Sequence, residues 1–584
     1  MSRTSRPTIP GSHTATALTP ARVRLGPKGE DGRVAGPDGA ADGGVDVVGA
    51  AGAGATGESV DGRGRVARAA GIISGLTVLS RIAGFGRTAA LGWLVGSTTL
   101  GTAYVTANTV PNIIFEIVAG GALAALVVPL LARAISVKDR AAEAATVSAL
   151  LTWTLAVLVP LAVAVAFAAG PIIDVLATDA GAAERAAGTL MLRIFAPQLP
   201  LYGIGIVLTG VLQAHRRFAW PVIAPLLSSV VVAATYGVFA AVEGTRADVP
   251  AVGAGGQWIL AAGTTLGVVV LSLCLVVPVR TLGLRLRPTW RFESDVARRL
   301  AGAGIVTVAF QQVAVVVTLR LANQGPDGTV VVFTVAQAVY LLPWAILAVP
   351  VATAAYPALA TAHTTDDDSG YRRRLAPATR GVVLLSCLGA AALVAVAEPV
   401  AGFFALPRLG EAVAGFAPGL LGYGLFAVLT RALYARGRAR PAAVATAAGW
   451  VVVALSAVAL AAGLATERRL LALTLANSIG MLVLGALLVW AVQRREGALA
   501  GLGRALLVGL TAGGAAAAAG WAVATALGSG TVASKPASLA DGVVAGLTVV
   551  VVFLAVAYPL DRHDVRPGIA AVARRVRRAA GSDR

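Results

Sequence analysis

The feature that most constrains this chain is a series of long apolar stretches, separated by short polar connections, between residues 70 and 560. Each stretch has about 20 or more residues, the length that an α-helix needs to cross a lipid bilayer. Backbone inside a bilayer must satisfy its own hydrogen bonds, so these stretches are predicted to be helices. The fourteen predicted spans, numbered in chain order, cover residues 70–96, 103–134, 143–169, 188–214, 219–242, 257–279, 296–322, 330–361, 378–405, 411–435, 441–464, 470–493, 505–527 and 540–560.

The composition agrees with this pattern. Of the 584 residues, 57% are hydrophobic and only 13% are charged, whereas soluble proteins are about 45–50% apolar and about 25% charged. This excludes a soluble enzyme, a disordered protein and a secreted disulfide scaffold. Both cysteines, Cys274 and Cys387, lie within apolar stretches, where they are interpreted as small buried hydrophobic residues. The chain is predicted to be an all-α polytopic membrane protein.

The distribution of cations predicts the topology. With the N-terminus in the cytoplasm, the tails and inner connections carry 38 of the 48 Lys and Arg residues, and the outer connections carry 6. Cytoplasmic loops of membrane proteins are enriched in Lys and Arg. We therefore expect both termini to lie in the cytoplasm. The net charge of +19 follows mostly from this topology, so no nucleic-acid partner is expected.

The two ends of the chain have the composition of tails. Residues 1–66 are rich in Gly, Pro, Ala, Thr and Asp and show no sustained apolar period, which predicts a disordered cytoplasmic tail. They contain no short apolar region followed by a small-residue cleavage site, so they are not interpreted as a secretory signal. Residues 561–584 are predicted to be a basic cytoplasmic tail.

The chain contains an internal repeat. Residues 195–220 and 416–441 match at 12 of 26 positions with an offset of 221, including Phe-Ala-Pro, Tyr-Gly and Leu-Thr in the same order. The repeat predicts two six-helix lobes, residues 70–281 (spans 1–6) and 296–493 (spans 7–12). Because each unit has an even number of helices, the lobes should be related by a pseudo-two-fold axis along the membrane normal. Residues 505–560 then form two added helices. Such two-lobed repeats are typical of alternating-access transporters.

Charged residues within the spans are the candidates for function, because each costs about 3 kcal/mol at the bilayer centre. Arg81 and Arg87 lie in span 1. A guanidinium in a water-filled cavity can bind phosphate in a bidentate manner, and structural pairing or snorkelling is the alternative. Glu116, in span 2, is either a counter-ion for these arginines or a protonatable coupling group. Asn108 either lines a cavity or bonds between helices, and Asn112 lies beside it in the same span.

The residue inventory does not favour an enzyme. The four histidines lie in tails or inner connections, so no His-based catalytic or metal cluster is expected within the membrane. None of the three lysines lies in a phosphate-binding Gly-x-x-x-x-Gly-Lys-Ser/Thr loop. We therefore expect no catalytic residues, no cofactor and no metal site.

An ordered set of motifs resembles a known family. The motifs are Ser80-Arg81-x-x-Gly84-Phe85-x-Arg87, Pro111-Asn112, Gly120-Gly121-Ala122, Val128-Pro129, Tyr202-Gly203, Phe218-x-x-Pro221, Leu342-Pro343-Trp344, Val349-Pro350, Tyr423-Gly424 and Leu429-Thr430-Arg431. Together they resemble the MviN/MurJ lipid II flippases of the MOP exporter superfamily. The resemblance covers about residues 70–560.

The resemblance implies two lobes around a cationic central cavity, with the two added helices framing a groove for a lipid tail. It implies that undecaprenyl-diphosphate-linked peptidoglycan precursor is moved from the inner to the outer leaflet, with Arg81 and Arg87 contacting the diphosphate. Membrane lipid and proteins of cell-wall synthesis are the other expected partners. The alternatives are a flippase for another polyprenyl-linked glycan, a small-molecule antiporter of the same superfamily, and a transport-inactive envelope scaffold.

Overall fold

The computed structural model describes residues 60–118, 124–290, 294–528 and 534–566, and every long element in these ranges is a helix. Two π-helical segments, Leu91–Val95 and Trp344–Ala348, continue α1 and α12. The α-helices, in chain order, are α1 Val60–Ala90, α2 Thr99–Val118, α3 Ala124–Ser136, α4 Arg140–Phe167, α5 Ala169–Leu176, α6 Ala182–Phe195, α7 Gln198–Ala214, α8 Ala219–Glu243, α9 Ala254–Leu273, α10 Val276–Arg280, α11 Ser294–Asn323, α12 Thr329–Pro343, α13 Val349–Thr364, α14 Asp368–Ala395, α15 Ala397–Phe404, α16 Leu409–Phe416, α17 Gly419–Ala435, α18 Ala439–Gly463, α19 Arg469–Glu496, α20 Leu502–Ala526 and α21 Lys535–Leu560.

The all-helical membrane fold is confirmed, whereas the count of fourteen spans stays a prediction. Among the described residues, ten helices or continuous helix pairs are long and apolar enough to cross a membrane. An eleventh is added if α16 and α17, which bend by 46°, form one span. The helices of spans 1, 2 and 7 are outside that set, and α1 and α2 are the helices that hold the candidate polar residues of the sequence analysis.

The first helix begins earlier than the apolar pattern indicates. The structure starts α1 at Val60, whereas span 1 was predicted from residue 70 and the disordered tail was predicted to extend to residue 66. Arg63, Arg65 and Arg68 make this first part hydrophilic, so hydropathy alone does not reveal it. Residues 1–59 lie outside the described residues, and so does most of the predicted tail.

The two copies of the internal repeat have the same local structure. In each copy a helix ends at the Phe of Phe-Ala-Pro and a 17-residue helix, α7 or α17, begins just after the Pro. A 25-residue helix, α8 or α18, follows in both copies. Because proline lacks a backbone N–H and its ring crowds the preceding turn, a break at this position is expected. We use N-lobe for α1–α10 and C-lobe for α11–α19.

Each break is stabilised by a hydroxyl from the last long helix of its lobe. In the N-lobe, Thr265 Oγ1 donates to the carbonyl of Ile194 over 3.0 Å. In the C-lobe, Ser478 Oγ donates to the carbonyl of Gly415 over 2.7 Å. The two acceptors are separated by the repeat offset of 221. Carbonyls left without partners by the break therefore receive equivalent donors in both lobes.

The glycines of the repeated Tyr-Gly motif allow close helix packing. A Cβ atom added at Gly203 of α7 would overlap the side chain of Thr154 in α4. A Cβ atom added at Gly424 of α17 would overlap Ser386 in α14. Small residues at such contacts let helix backbones approach closely within a membrane. The same glycine therefore serves the same helix pair in each lobe.

The lobes are joined at one end of the bundle. We call this the outer end, because it carries the connections predicted to be extracytoplasmic, and we call the opposite end the inner end. The Arg246 guanidinium, from the N-lobe, donates to the carbonyls of Phe404 and Ala405 over 2.8 and 2.9 Å. The Trp93 indole donates to the carbonyl of Phe403 over 3.0 Å. Arg246 thus binds the carboxyl end of α15, where a cation is favourable.

Other contacts between the lobes lie toward the same end. Arg320 of the C-lobe donates to the carbonyl of Val175 over 2.8 Å. Thr106 of α2 donates to the Asn323 side-chain oxygen over 3.2 Å. These contacts, with those of Arg246 and Trp93, hold the outer ends of the two lobes together.

The apolar core is divided in a way that matches this closure. One large cluster of buried residues contains the C-lobe together with the outer part of the N-lobe, including Leu100 and Met191. A second, separate cluster lies at the inner end of the N-lobe and includes Val127, Leu150 and Leu212. The buried core is therefore continuous between the lobes at the outer end, and the inner end of the N-lobe has a core of its own.

Candidate substrate-binding site

A row of polar side chains follows one face of α2. Tyr104, Asn108, Asn112 and Glu116 are spaced four residues apart, and residues with this spacing lie on one helix face. At 1.5 Å per residue the row is about 18 Å long. We call these four residues the polar stripe. It contains three of the five residues that the sequence predicts for the site.

Tyr202 of α7 lies at the middle of the polar stripe. Its hydroxyl donates to the Asn112 side-chain oxygen over 3.1 Å, and its ring packs against Phe115, with the ring centroids 4.6 Å apart. Tyr202 therefore links Asn112 of the polar stripe to the N-lobe repeat motif.

The outer end of the polar stripe is anchored by hydroxyl groups. The Tyr104 hydroxyl lies 2.8 Å from the hydroxyls of both Tyr236 and Thr264. Tyr104 and Tyr236 are only 2% and 3% exposed. Because buried hydroxyls that are hydrogen-bonded to one another fix a local arrangement, this group holds α2 against α8 and α9.

Arg87 faces the same region from α1. Its side chain is exposed, and α1 packs against α8, the helix that carries Tyr236. The Tyr236 hydroxyl lies 2.8 Å from that of Tyr104, so α1 neighbours a helix that contacts the polar stripe. The structure thus places Arg87 on a helix near the polar stripe, and it joins Tyr202 to Asn112 of that stripe.

Arg81 lies about 9 Å from Arg87 along α1, toward the inner end. Its side chain is exposed, and it makes no hydrogen bond or ion pair with any described residue. Open space lies beside this part of the helix, because a Cβ atom added at Gly84 or Gly86 would have nothing within 4 Å. The Arg81 guanidinium therefore has no partner among the described residues and lies beside open space.

Two predicted roles are sharpened by the geometry. Among the described residues, no ion pair joins Glu116 to Arg81 or Arg87, so the counter-ion role is not seen in this conformation. The side-chain oxygen of Asn108 is buried without a hydrogen-bond partner among the described residues. An unpaired buried acceptor is costly, so Asn108 has a free hydrogen-bonding position within the polar stripe.

Sequence reasoning missed the tyrosines of this site. In the sequence Tyr202 stands out only as part of a motif, and its recurrence as Tyr423 is the signal that could have singled it out. The two tyrosines do not behave alike, since the ring of Tyr423 packs against Trp344 with centroids 4.7 Å apart. Tyr104 could have been found from its four-residue spacing to Asn108. The N-lobe thus combines two cations, a carboxyl group, amides and hydroxyls beside open space, an arrangement suited to an anionic, polar ligand.

Comparison with known proteins gives a family match. The sequence model of the family described as "Lipid II flippase MurJ" matches residues 92–553. The polar stripe and Tyr202 lie within the matched range, and Arg81 and Arg87 lie before it.

Relatives with the same description are found in several bacteria. The lipid II flippase MurJ of Burkholderia cenocepacia is 28% identical over 384 residues, which are 62% of this chain and 72% of that protein. The probable lipid II flippase MurJ of Synechocystis is 31% identical over 227 residues, 38% of this chain and 42% of that protein.

Solved structures agree on the fold. A lipid II flippase MurJ in an inward closed conformation superimposes with a TM-score of 0.66 at 17% identity, covering 83% of this chain and 98% of that one. An inward-facing multidrug resistance transporter of the MATE family gives a TM-score of 0.58 at 15% identity, covering 72% and 95%. At these identities the likeness concerns the fold alone, and it is the fold of MOP-superfamily transporters.

Proposed function

Because the chain belongs to the MurJ lipid II flippase family, we propose that it moves lipid II, the polyprenyl-diphosphate-linked peptidoglycan precursor, from the inner to the outer leaflet by alternating access. The observation that carries this proposal is the pair of exposed arginines, Arg81 and Arg87, on a helix of a membrane protein. Charges at such positions are costly unless water or a ligand compensates them. A diphosphate is the part of lipid II that two guanidinium groups can bind.

The polar stripe supplies the uncharged part of the proposed site. Asn108 and Asn112 can hydrogen-bond sugar and peptide groups. Tyr202 orients the Asn112 amide by donating to its oxygen, and the Tyr202 ring is itself held in place by packing on Phe115. Glu116 lies at the inner end of the stripe, where it takes up or releases a proton as the headgroup passes. The polyprenyl tail remains in the lipid throughout, so only the polar headgroup needs a hydrated path.

The joined outer ends suit a transporter in an inward-accessible state. In this state Arg81 is exposed and the outer contacts of Arg246 and Trp93 are made. The proposed cycle loads the headgroup from the cytoplasmic side, separates the outer ends and closes the inner ends. A ligand drives such a change only by binding one state better than the other, and the arginines are the groups that would differ.

The proposal includes location and partners. The protein lies in the bacterial cell membrane as a multi-pass protein, with both termini in the cytoplasm as the cation distribution predicts. Lipid II and the surrounding bilayer lipids are its direct partners. Proteins of cell-wall synthesis that make or consume lipid II are proposed as neighbours. The transporter would carry lipid II from the side of the membrane where it is made to the side where it is consumed.

A cellular experiment tests the function. Depletion of the protein should trap lipid II in the inner leaflet, and re-expression of the wild type should release it. Arg81→Ala should fail to release it while being inserted at normal levels, because a charge-assisted bond contributes about 1.5–3 kcal/mol. Arg193→Ala is the matched control, since Arg193 is another exposed arginine within a predicted span but lies on α6, and not on α1 or in the polar stripe.

The outcomes are distinct. Normal lipid II distribution after depletion, with accumulation of another polyprenyl-linked glycan, would contradict lipid II as the substrate. A double variant, Arg81→Ala with Glu116→Gln, separates ligand binding from a structural ion pair. We expect it to remain inactive, and full activity of the double variant would overturn the phosphate-binding role of Arg81.

A further inference from the structure

A cavity of about 700 Å³ lies at the inner end of the C-lobe, away from the polar stripe. Its walls come from the connection between α17 and α18, the first turns of α18 and the last turns of α19. It is lined by both charged and apolar side chains, among them Arg440, Val444, Leu487 and Trp490. No step of the proposed transport cycle uses these residues.

The polar side of the cavity is cationic. Arg438 and Arg440 line it, Arg440 is exposed, and the Arg494 guanidinium lies 5.3 Å from the centre of the ring of Trp490, which is also a lining residue. Among the described residues, neither Arg440 nor Arg494 has a carboxylate partner. Arg436, only four residues before Arg440, differs in being paired with Asp368 over 2.7 Å. Arg440, in the cavity wall, and Arg494, over the ring of Trp490, therefore keep their charge available for an anion.

The other side of the cavity is apolar and open. Val444 is 69% exposed and Trp490 is 58% exposed. Both belong to helices long and apolar enough to cross a membrane, so these exposed side chains face the lipid. Tryptophan is enriched where the hydrocarbon core meets the headgroups. Val444 and Trp490 lie deeper in the membrane than Arg440 and Arg494. The apolar residues are therefore at the depth of an acyl chain, and the arginines are at the depth of a headgroup.

We propose that this cavity binds an anionic phospholipid of the inner leaflet, with its phosphate between Arg440 and Arg494 and its acyl chain along Val444 and Trp490. Basic pockets between membrane helices on the cytoplasmic side bind anionic headgroups. A soluble phosphate would use the arginines but not the exposed apolar wall. The site lies in the C-lobe, so it is separate from the proposed lipid II site on α1, α2 and α7.

Native mass spectrometry of the full chain, purified in detergent, tests the proposal. The probes are phosphatidylglycerol, which is anionic, and phosphatidylcholine, which is not. The double variant Arg440→Gln with Arg494→Gln should bind phosphatidylglycerol at least about tenfold more weakly, since each cation near a membrane surface contributes appreciably to anionic-lipid binding. Binding of phosphatidylcholine should not change.

A matched double variant serves as the control. Arg372 is an exposed inner-end arginine, and Arg562 lies over the Tyr558 ring at 5.6 Å, much as Arg494 lies over Trp490. Arg372→Gln with Arg562→Gln removes the same charge outside the cavity and should change phosphatidylglycerol binding less than twofold, an expectation of the same surface rule. All four arginines are exposed, so gel filtration and melting temperature should match the wild type.

Three results would overturn the proposal. Equal losses in the two double variants would mean that phosphatidylglycerol is held by general surface charge. Displacement of phosphatidylglycerol by soluble glycerol phosphate would mean that the cavity holds a free anion. Loss of polyprenyl-diphosphate binding in the cavity variant, with phosphatidylglycerol binding retained, would assign the cavity to the transported substrate.

Discussion

Replacement of Arg246 by alanine should shift the protein toward a state with its outer end open. Arg246 belongs to the N-lobe, and its guanidinium donates to the Phe404 and Ala405 carbonyls of the C-lobe over 2.8 and 2.9 Å. Alanine removes both bonds and also the 3.5 Å bond from Arg246 Nε to the Trp93 carbonyl of the N-lobe, but it keeps the backbone bond from Arg246 N–H to the Leu94 carbonyl. The substitution therefore acts mainly on the joint between lobes, while the backbone of the N-lobe connection stays bonded.

The size of the effect follows from the two bonds. A hydrogen bond to a charged group contributes about 1.5–3 kcal/mol when buried, and Arg246 is half-buried, so water replaces part of that. A net loss of about 2 kcal/mol for the pair is expected, which changes the ratio of closed to open outer ends by about 30-fold. A shift of this size converts a rare open state into a measurable one.

Pulsed electron–electron double resonance measures the shift. Spin labels at Ala251 and Thr466, exposed positions at the outer ends of the N-lobe and C-lobe, report their separation after Cys274 and Cys387 are replaced by serine. Arg408→Ala is the control, because among the described residues the Arg408 guanidinium bonds within the C-lobe alone, to Thr329 and to the Glu467 carbonyl.

The wild type and Arg408→Ala should give one short distance, and Arg246→Ala should add a longer one. An Arg246→Ala distribution that superimposes on that of the wild type would refute the reasoning. Equal broadening of the distance distribution in both variants would also contradict the reasoning. It would show a general loss of order at the outer end, and not a specific separation of the two lobes.

Three further predictions concern separate parts of the molecule. Tyr202→Phe removes the bond to Asn112, and a net loss of about 1 kcal/mol should slow lipid II translocation roughly fivefold at unchanged expression. Burial opposes ionisation of Asp564, but its hydrogen bonds with Arg380 and His563 outweigh burial and lower its pKa. Its stabilising contribution is therefore present above the ordinary carboxyl pKa of about 3.9 and is lost as the pH falls through the lowered pKa. Asp564→Asn should accordingly melt at a lower temperature at pH 7 and lose less stability on acidification. A reporter that is active only in the cytoplasm should be active when it is fused at residue 584. Activity of alkaline phosphatase fused at the same position would contradict the topology.

The sequence predicted the helices better than their breaks. Apolar length predicted helical secondary structure correctly, because a bilayer leaves little choice of secondary structure, and the number of spans stays a prediction. It did not reveal that spans such as 188–214 consist of two helices, α6 and α7, because a break at Ala196-Pro197 leaves the hydropathy unchanged. The early start of α1 at Val60 was missed for the opposite reason, since that part is helical but hydrophilic.

The candidate site was predicted in part. Arginines stand out in an apolar span by their cost, so Arg81 and Arg87 could be identified without a structure. The role of Tyr202 depends on α7 approaching α2, and that approach depends on tertiary packing. A tyrosine within an apolar segment gives no local sign of its partner, so only the structure joins Tyr202 to Asn112.

The most direct test of the account is the rate at which the purified full chain moves lipid II between the leaflets of proteoliposomes. We predict that the wild type moves lipid II faster than protein-free vesicles, and that Arg81→Ala, reconstituted at equal density, is at least about tenfold slower. Arg193→Ala should keep the wild-type rate. A wild-type rate equal to that of empty vesicles would contradict the proposed function, and an Arg81→Ala rate equal to the wild type would contradict the site.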